Sequence, residues 1–240
     1  MGMFDFLGGG GTKVERLVKA ATQKFGPPEN RQKALEQLAE LATPEAIAGM
    51  LKRFTISAEP SITDREEKEF VYRTVIDFEK DAIVPLQNFV RNSETAISWA
   101  VKGLGALTTP PEVVEVCVGA LTKLGNEYTR DPEKKTTLLT QLLEHDDPRI
   151  VAAVVPFLED PADDVKIAAS RILAKSKDPS ARQPLVDAIP REKDHRRVMT
   201  AFFEALSLGA FEVEAARESL QPLLPDGFSI DKEGLVQRPA

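Results

Sequence analysis

Apolar residues recur along the chain in two interleaved series. In the first series, Pro or Gly is followed by apolar residues, at Gly49, Pro85, Gly119, Pro156, Pro184 and Pro222. In the second, apolar or small residues stand four positions apart, as in Ala34/Leu38, Val71/Val75, Ala100/Leu104, Leu138/Leu142, Ala169/Leu173 and Phe202/Leu206. This spacing places side chains on one face of a helix. Both series advance by about 34 residues, which predicts a repeat of two helices, called A and B here.

Helix starts are marked by a Thr or Asp that is followed by Pro. Such dipeptides begin at Thr43, Thr109, Asp131, Asp147, Asp160 and Asp178. The side-chain oxygen can accept from free N–H groups of the first turn, and Pro suits the first helical position because its missing N–H costs nothing there. We predict about thirteen helices, near 12–25, 29–42, 44–54, 64–79, 81–91, 94–107, 110–125, 131–144, 148–159, 162–175, 179–189, 193–208 and 211–224.

The stretch 158–189 carries a family resemblance. Val165 and Lys166 follow a turn that contains Asp, Ala169 comes four residues after Val165, and Leu173 lies further on. This pattern resembles a HEAT repeat of the bacterial kind that is grouped with phycobilisome-lyase HEAT-like repeats, and most of residues 12–225 fit it more loosely. The Trp…Leu-Gly…Tyr arrangement of tetratricopeptide repeats is absent from the sequence.

The resemblance implies an all-α fold. We expect a right-handed α-solenoid of about six stacked antiparallel helix pairs, with the A helices on the convex side and the B helices on the concave side. A polar helix near 211–224 suits the end of such a stack. Residues 228–237 alternate around Asp231-Lys232-Glu233-Gly234, which predicts a small C-terminal hairpin; a disordered tail is the alternative.

Three segments follow from these patterns. Residues 1–11 are expected to form a flexible, Gly-rich N-terminal tail that begins Met-Gly-Met-Phe-Asp-Phe-Leu. Residues 12–225 are expected to form the HEAT-like α-solenoid, and residues 226–240 the C-terminal hairpin or tail. The apolar start of the tail could contact the first helix pair or another protein.

Composition argues against most catalytic chemistry. The 240 residues include one Cys, two His, one Trp and two Tyr, which leaves little material for metal sites, cofactor ligands or nucleophile–base pairs. Lys and Arg number 31 and Asp and Glu 38, so the chain carries a net charge of −7 and repels polyanions. We therefore predict that the protein is not an enzyme, has no catalytic residues, cofactor or metal, and binds no nucleic acid.

Several sequence features favour the cytoplasm. The single Cys117 excludes an internal disulfide and is typical of a reducing compartment. No apolar run approaches the roughly 18 to 20 residues of a membrane span. The first residues lack the basic region and long apolar core of a secretory signal. We predict a cytoplasmic protein without a membrane partner, and the sequence leaves its oligomeric state open.

Outward positions of the B helices are the candidate binding surface. Trp, Tyr and Arg are enriched at binding hot spots. The candidate residues for contact with a partner are Tyr72, Arg73, Trp99, Lys102, Lys166, Arg171, Arg196 and Phe203. For Trp99 the alternative is packing against the adjacent B helix. For the basic residues around His195 the alternatives are a solvated helix face or a site for a phosphate or an acidic peptide.

The leading functional hypothesis is a non-catalytic protein–protein interaction scaffold or adaptor. Its partner, a protein or peptide, would bind the concave face of the superhelix. One alternative is an enzyme resembling the HEAT-like bilin lyases, which would cradle a tetrapyrrole. The other is a nucleic-acid-binding protein resembling HEAT-like DNA glycosylases, which would need a continuous basic concave face.

Overall fold

The computed structural model describes residues 12–238, and the predicted tail over residues 1–11 lies outside this range. The chain divides into two compact units, Met1–Thr109 and Pro110–Ala240, called the N-terminal and C-terminal units below. Within residues 12–238, no helix combines the length and the apolar character that crossing a membrane requires.

The N-terminal unit contains three helix pairs in two layers. Its helices are α1 (Lys13–Ala21), α2 (Pro28–Leu41), α3 (Pro44–Leu51), α4 (Ser61–Asp77), α5 (Lys80–Asn92) and α6 (Ile97–Leu107), with a 3₁₀ turn at Lys52–Thr55. The A helices α1, α3 and α5 pack on one another, and α4 contacts both α2 and α6 in the layer of B helices. Two helices of neighbouring pairs therefore lie side by side in each layer.

The C-terminal unit repeats this arrangement. Its helices are α7 (Pro110–Leu124), α8 (Glu133–Leu142), α9 (Arg149–Val154), α10 (Asp163–Ser176), α11 (Arg182–Ala188), α12 (Arg196–Leu208) and α13 (Arg217–Leu220). Short 3₁₀ turns at Val155–Glu159, Pro179–Ala181, Ile189–Glu192, Glu214–Ala216 and Gln221–Leu223 flank α9, α11 and α13. The B helix α10 packs against α8 on one side and α12 on the other.

The predicted helical repeat is confirmed. Every residue of the second series is buried, from Ala34 and Leu38 to Phe202 and Leu206. A four-residue apolar spacing can be satisfied only when one face of each B helix is covered by neighbours. The all-α class and the count of helix pairs therefore agree with the expectation, whereas the predicted segment boundaries at 12–225 and 226–240 stay a prediction.

The Asp side chains of the Asp-Pro dipeptides form turns at the start of the helical segments, by accepting a hydrogen bond from the backbone two residues ahead. Thr43 caps α3 directly, because its Oγ1 accepts from the N–H of Ala46 at 3.2 Å. In each Asp-Pro pair, the Asp Oδ1 accepts from the N–H two positions ahead, at 2.8 to 3.0 Å, at Asp131, Asp147, Asp160 and Asp178. Such Asx turns preset the chain for the helix that follows.

The C-terminal hairpin is confirmed, and it explains why the last predicted helix is broken. Strands β1 (Ser229–Ile230) and β2 (Val236–Gln237) pair antiparallel, with Ile230 opposite Val236. Glu212 forms a bridge with Leu235, and the N–H of Val213 donates to the Gly234 carbonyl at 2.8 Å. Glu212 and Val213 are therefore held against the hairpin by backbone hydrogen bonds, and only short helical turns remain between 214 and 223.

Candidate functional site

Four aromatic rings meet in the N-terminal unit, two of them from the B helices α4 and α6. The indole of Trp99 in α6 stacks on the ring of Phe54, with centroids 5.2 Å apart and planes 5° apart. Tyr72 in α4 lies 6.0 Å from Trp99, and Phe89 in α5 meets Phe54 edge to face at 6.4 Å. Aromatic pairs at these distances add about 0.5–1.5 kcal/mol beyond area burial. We call Phe54, Tyr72, Phe89 and Trp99 the aromatic patch.

The patch is open to solvent on the side of Lys102. The Lys102 ammonium lies 4.7 Å from the centroid of the Tyr72 ring and 5.9 Å from that of Trp99. Tyr72 and Trp99 are half-buried, whereas Lys102 is exposed. The sequence left binding, or packing against the adjacent B helix, as alternatives for Trp99. The indole does contact Tyr72 of the adjacent B helix α4, and its role in binding stays a prediction. A half-exposed Trp held in one orientation is suited to contact with a partner.

A groove between α2 and α4 is the second surface feature of this unit. Its volume is about 710 Å³, and its walls carry Glu29, Lys33 and Glu36 from α2 and Glu66 and Arg73 from α4. Phe70 supplies an apolar side chain to the same groove. Since Arg73 lines the groove and the neighbouring Tyr72 belongs to the patch, α4 joins the two features. Carboxylates outnumber cations on these walls.

A buried ion-pair network holds the base of this groove. Glu67 accepts from Nε of Arg31 at 2.9 Å and from Nε of Arg53 at 2.7 Å, and Arg53 Nη2 lies 2.5 Å from Asp64 Oδ1. Both arginines are completely buried and Glu67 is 3% exposed. These contacts tie α2, the turn after α3 and α4 together, so the groove has a rigid base.

The same network lowers the pKa of Asp64. Partial burial of this carboxyl acts to raise its pKa, but hydrogen bonds from Lys68 and Arg53 outweigh that effect and bring it below the usual range. Asp64 also accepts from the N–H of Ala58 at 2.9 Å. The folded unit therefore stabilises the ionised form of the Asp64 carboxyl.

Two of the predicted site residues are not available to a partner. Lys166 in α10 is buried, and its Nζ donates to Glu192 Oε1 at 2.6 Å. Phe203 in α12 is completely buried. The expectation that these side chains line a surface is corrected, because Glu192 satisfies the Lys166 ammonium inside the unit and Phe203 lies on the core-facing side of α12.

The remaining predicted residues fall on two separate surfaces. Tyr72, Arg73, Trp99 and Lys102 belong to the N-terminal unit, at the patch and the α2/α4 groove. Arg171 and Arg196 line a groove of about 490 Å³ between α10 and α12 in the C-terminal unit. Both of these arginines are exposed.

The described residues offer no metal cluster. Within residues 12–238, no group of three or more His, Cys, Asp or Glu side chains is placed to hold a metal ion. Cys117 lies in the core of the C-terminal unit, where burial raises the pKa of its thiol to about 12. At that pKa a thiol is protonated at neutral pH and is a poor nucleophile.

Comparison with known families agrees with the repeat pattern. The model of HEAT repeats matches residues 151–233, which run from within α9 to the hairpin. This stretch is similar to HEAT repeats. The B helices α10 and α12, which contribute Lys166, Arg171, Arg196 and Phe203, therefore belong to the matched stretch. No curated protein matches the sequence.

Solved structures resemble this chain only distantly. Human deoxyhypusine hydroxylase, in a structure with glycerol, is 17% identical over 89% of this chain and 90% of its own, with a TM-score of 0.37. An engineered protein is 20% identical over 89% of this chain and 85% of its own, with a TM-score of 0.33. Likenesses of this size assign no activity to this chain.

The prediction that the protein is not an enzyme is wrong. It rested on the scarcity of His, Cys and Tyr, yet deoxyhypusine hydroxylase, which is an enzyme, is among the chains of similar structure. Few reactive side chains do not decide this question.

Sequence reasoning missed two members of the aromatic patch. Phe54 lies in the 3₁₀ turn after α3, and Phe89 lies on the A helix α5. Neither residue occupies an outward position of a B helix, and the predicted binding residues are all at such positions. The sequence shows Phe54 and Phe89 near the ends of α3 and α5, but their positions along the chain do not reveal that Phe54 stacks on Trp99.

Proposed function

We propose that the protein is an interaction scaffold that binds a partner protein on the B-helix side of its N-terminal unit. The contact surface combines the aromatic patch with the α2/α4 groove. Tyr72, Arg73, Trp99 and Lys102 are the proposed contact residues. The match to HEAT repeats supports a helical-repeat scaffold in general, and the site itself supports the finer proposal.

The observation that carries this proposal is the half-buried Trp99 stacked on Phe54. A large aromatic side chain that is already fixed loses little conformational entropy when a partner covers it. The buried network around Glu67 holds the groove beside it in one shape. A surface that is already ordered binds more tightly than a mobile one, because little conformational entropy is lost on binding.

The charges of the groove indicate the chemistry of the partner. Glu29, Glu36 and Glu66 face the same space as Lys33 and Arg73. We infer that the partner segment places an apolar side chain against Trp99 and Tyr72 and basic side chains along the carboxylates of the groove. Complementary charges of this kind determine specificity and association rate more than affinity. We place this encounter in the cytoplasm, in keeping with a single unpaired cysteine.

The test is site-specific crosslinking with the full chain. A photoreactive phenylalanine analogue replaces Tyr72, and the chain is irradiated in native lysate before mass spectrometry identifies the products. The same analogue at Tyr128, which is 77% exposed in the C-terminal unit, is the matched control. A partner specific to position 72 is then purified, and its affinity is measured by titration calorimetry.

Trp99→Ala is expected to lower the affinity for this partner by about thirtyfold, as hot-spot substitutions do. Lys102→Glu is expected to lower it by about fivefold, as substitutions of charged residues at the rim of an interface do. Tyr128→Ala is expected to leave the affinity unchanged. Because Lys102 is exposed, Lys102→Glu tests the surface without disturbing the core. An identified partner that binds all of these variants equally well contradicts the proposal.

A further inference from the structure

Three arginines converge on the groove between α10 and α12 in the C-terminal unit. Arg171 comes from α10, and Arg196 and Arg197 come from the first turn of α12. The groove has a volume of about 490 Å³ and is lined in addition by Ile167, Thr200, Ala201 and Glu204. We call this feature the arginine groove.

One of these guanidinium groups has no partner within residues 12–238. Arg171 is exposed and makes neither an ion pair nor a side-chain hydrogen bond there. Arg196 pairs with Asp226, and Arg197 Nη2 lies 2.5 Å from Asp164 Oδ1. The groove therefore holds one cation without a partner, on α10, and two cations on α12 that are paired with exposed carboxylates.

The two rim pairs are weak enough to be exchanged. The side chains of Arg196 and Asp226 are 74% and 92% exposed, and those of Arg197 and Asp164 are 68% and 64% exposed. Ion pairs this exposed contribute about 0–1 kcal/mol each. An arriving carboxylate can replace Asp164 or Asp226 at little cost, and the planar guanidinium binds it through two parallel hydrogen bonds.

The groove also offers apolar surface and a fixed shape. Ala201, which is half-buried, and Ile167, which is 6% exposed, contribute apolar atoms to the groove. Val198 and Phe202, on the opposite face of α12, are completely buried, and the Lys166–Glu192 ion pair secures α10 to the turn before α12. The arginines therefore project from two helices that cannot move apart without breaking the core.

We propose that the arginine groove is a second binding site, which takes an acidic segment of a partner protein. Carboxylates of that segment bind Arg171, Arg196 and Arg197, and its apolar side chains cover Ile167 and Ala201. This site is independent of the surface proposed for the N-terminal unit. Glu204 lies at the same groove and disfavours a further acidic residue beside it, which restricts the register of the segment.

The charge of the unit favours a short acidic segment over nucleic acid. Residues 110–240 hold 17 basic and 23 acidic side chains, a net charge of −6. A long polyanion meets this overall repulsion along its whole length. A short segment that displaces Asp164 and Asp226 meets three arginines and one lining carboxylate, Glu204. The screening length of about 8–10 Å in ordinary buffers confines that local attraction to the groove itself.

The test uses the full chain and a short fluorescein-labelled peptide in which Glu alternates with Ala and Leu. Binding is followed by fluorescence anisotropy at about 50 mM and about 200 mM NaCl, and it is expected to weaken at the higher salt. A peptide with Lys in place of each Glu, and a single-stranded oligonucleotide of equal charge, are run beside it. Neither is expected to bind as tightly as the acidic peptide.

Substitutions locate the site. Arg171→Gln and Arg197→Gln are each expected to weaken binding of the acidic peptide by about three- to fivefold, as the loss of one exposed ion pair implies. Glu204→Gln is expected to strengthen it, because a like charge is removed. Arg130→Gln, an exposed arginine in the loop before α8, is the matched control and is expected to change nothing.

Several outcomes overturn this proposal. These are absence of peptide binding, an equal loss with Arg130→Gln and Arg171→Gln, and tighter binding of the oligonucleotide through Arg171. Circular dichroism checks that each variant is folded, which is expected because all the substituted side chains except Glu204 are exposed. Trp99→Ala is expected to leave peptide binding unchanged, so failure of this site is distinguishable from failure of the site in the N-terminal unit.

Discussion

Lys135 and Asp160 form a buried ion pair, with Nζ and Oδ2 2.6 Å apart, between α8 and the turn before α10. The Lys135 ammonium also donates to the Glu127 carbonyl at 2.6 Å. One repeat later, Lys166 near the start of α10 binds Glu192 in the same manner, at 2.6 Å. A basic residue in the first turn of a B helix thus reaches the carboxylate that precedes the next B helix, and successive repeats are linked.

Asp160→Asn is expected to destabilise the protein strongly. The Lys135 side chain is 1% exposed, so loss of its partner leaves a buried charge without compensation, at a cost of about 3–5 kcal/mol. The Asn side chain keeps an oxygen for the N–H of Ala162, so the turn itself is preserved. Urea unfolding monitored by circular dichroism measures the free energy.

Adding Lys135→Met to Asp160→Asn removes the unpaired charge and is expected to recover part of this loss. The double variant should therefore be more stable than Asp160→Asn alone. A cost below about 1 kcal/mol for Asp160→Asn would show that the pair is not a link between repeats.

Ala42→Gly is expected to stabilise the protein. Ala42 ends α2 in the left-handed region, with φ 49° and ψ 25°, where a Cβ costs about 1–2 kcal/mol. Glycine avoids this cost but gains freedom in the unfolded chain, so we expect a net gain of about 0.5–1 kcal/mol. Thermal unfolding measures it.

The matched control is Ala48→Gly within α3. The same substitution at an exposed helical position is expected to destabilise by about 0.5–1 kcal/mol, because no left-handed strain is relieved there. Shifts of the same sign at both positions would contradict the explanation through φ.

The thiol of Cys117 is expected to be unreactive in the folded protein. Burial raises its pKa from 9.0 to about 12, so the thiolate fraction near neutral pH falls by about a thousandfold. Ellman's reagent at mildly alkaline pH should label the thiol only as the protein opens, and rapidly in denaturant. Complete labelling of the native protein within the mixing time would show that α7 does not protect Cys117.

Acid is expected to remove a contribution from Asp64. The pKa of its carboxyl is lowered in the folded state, so the ionised form stabilises the fold above the unfolded pKa near 3.8. This contribution is lost as the pH falls through the lower, folded pKa. The Asp64→Asn variant should therefore be less stable than the unsubstituted chain at neutral pH, and its free energy of unfolding should change less with pH below about 4.

The comparison is made by urea midpoints over the acidic range, with Asp77→Asn at the exposed end of α4 as the control. The acid dependence of the control should follow that of the unsubstituted chain. Parallel curves for Asp64→Asn and the unsubstituted chain would mean that Arg53 and Lys68 do not stabilise the ionised carboxyl.

The approximate positions of helices α1 to α12 were determined by the sequence alone, because their signals are local; the predicted helix 211–224 is instead broken by its contact with the hairpin. The apolar spacing of Ala34 and Leu38, the Thr43-Pro44 start and the hairpin turn at Gly234 each act over a few residues. Such signals do not require knowledge of distant contacts. The pairing of helices followed from the repeat, since a helix pair alone cannot bury its apolar face.

Only the tertiary structure decided which outward positions of the B helices remain at the surface. Lys166 is a charged residue that sequence reasoning placed outside, yet Glu192 lies close enough to bury it. Phe203 follows Phe202, and both lie inside because neighbours cover a wider face of α12 than the four-residue spacing implies. The contact between Trp99 and Phe54 joins residues of different helix pairs. Spacing along the chain describes one helix at a time, whereas exposure depends on what the neighbouring helices place against it.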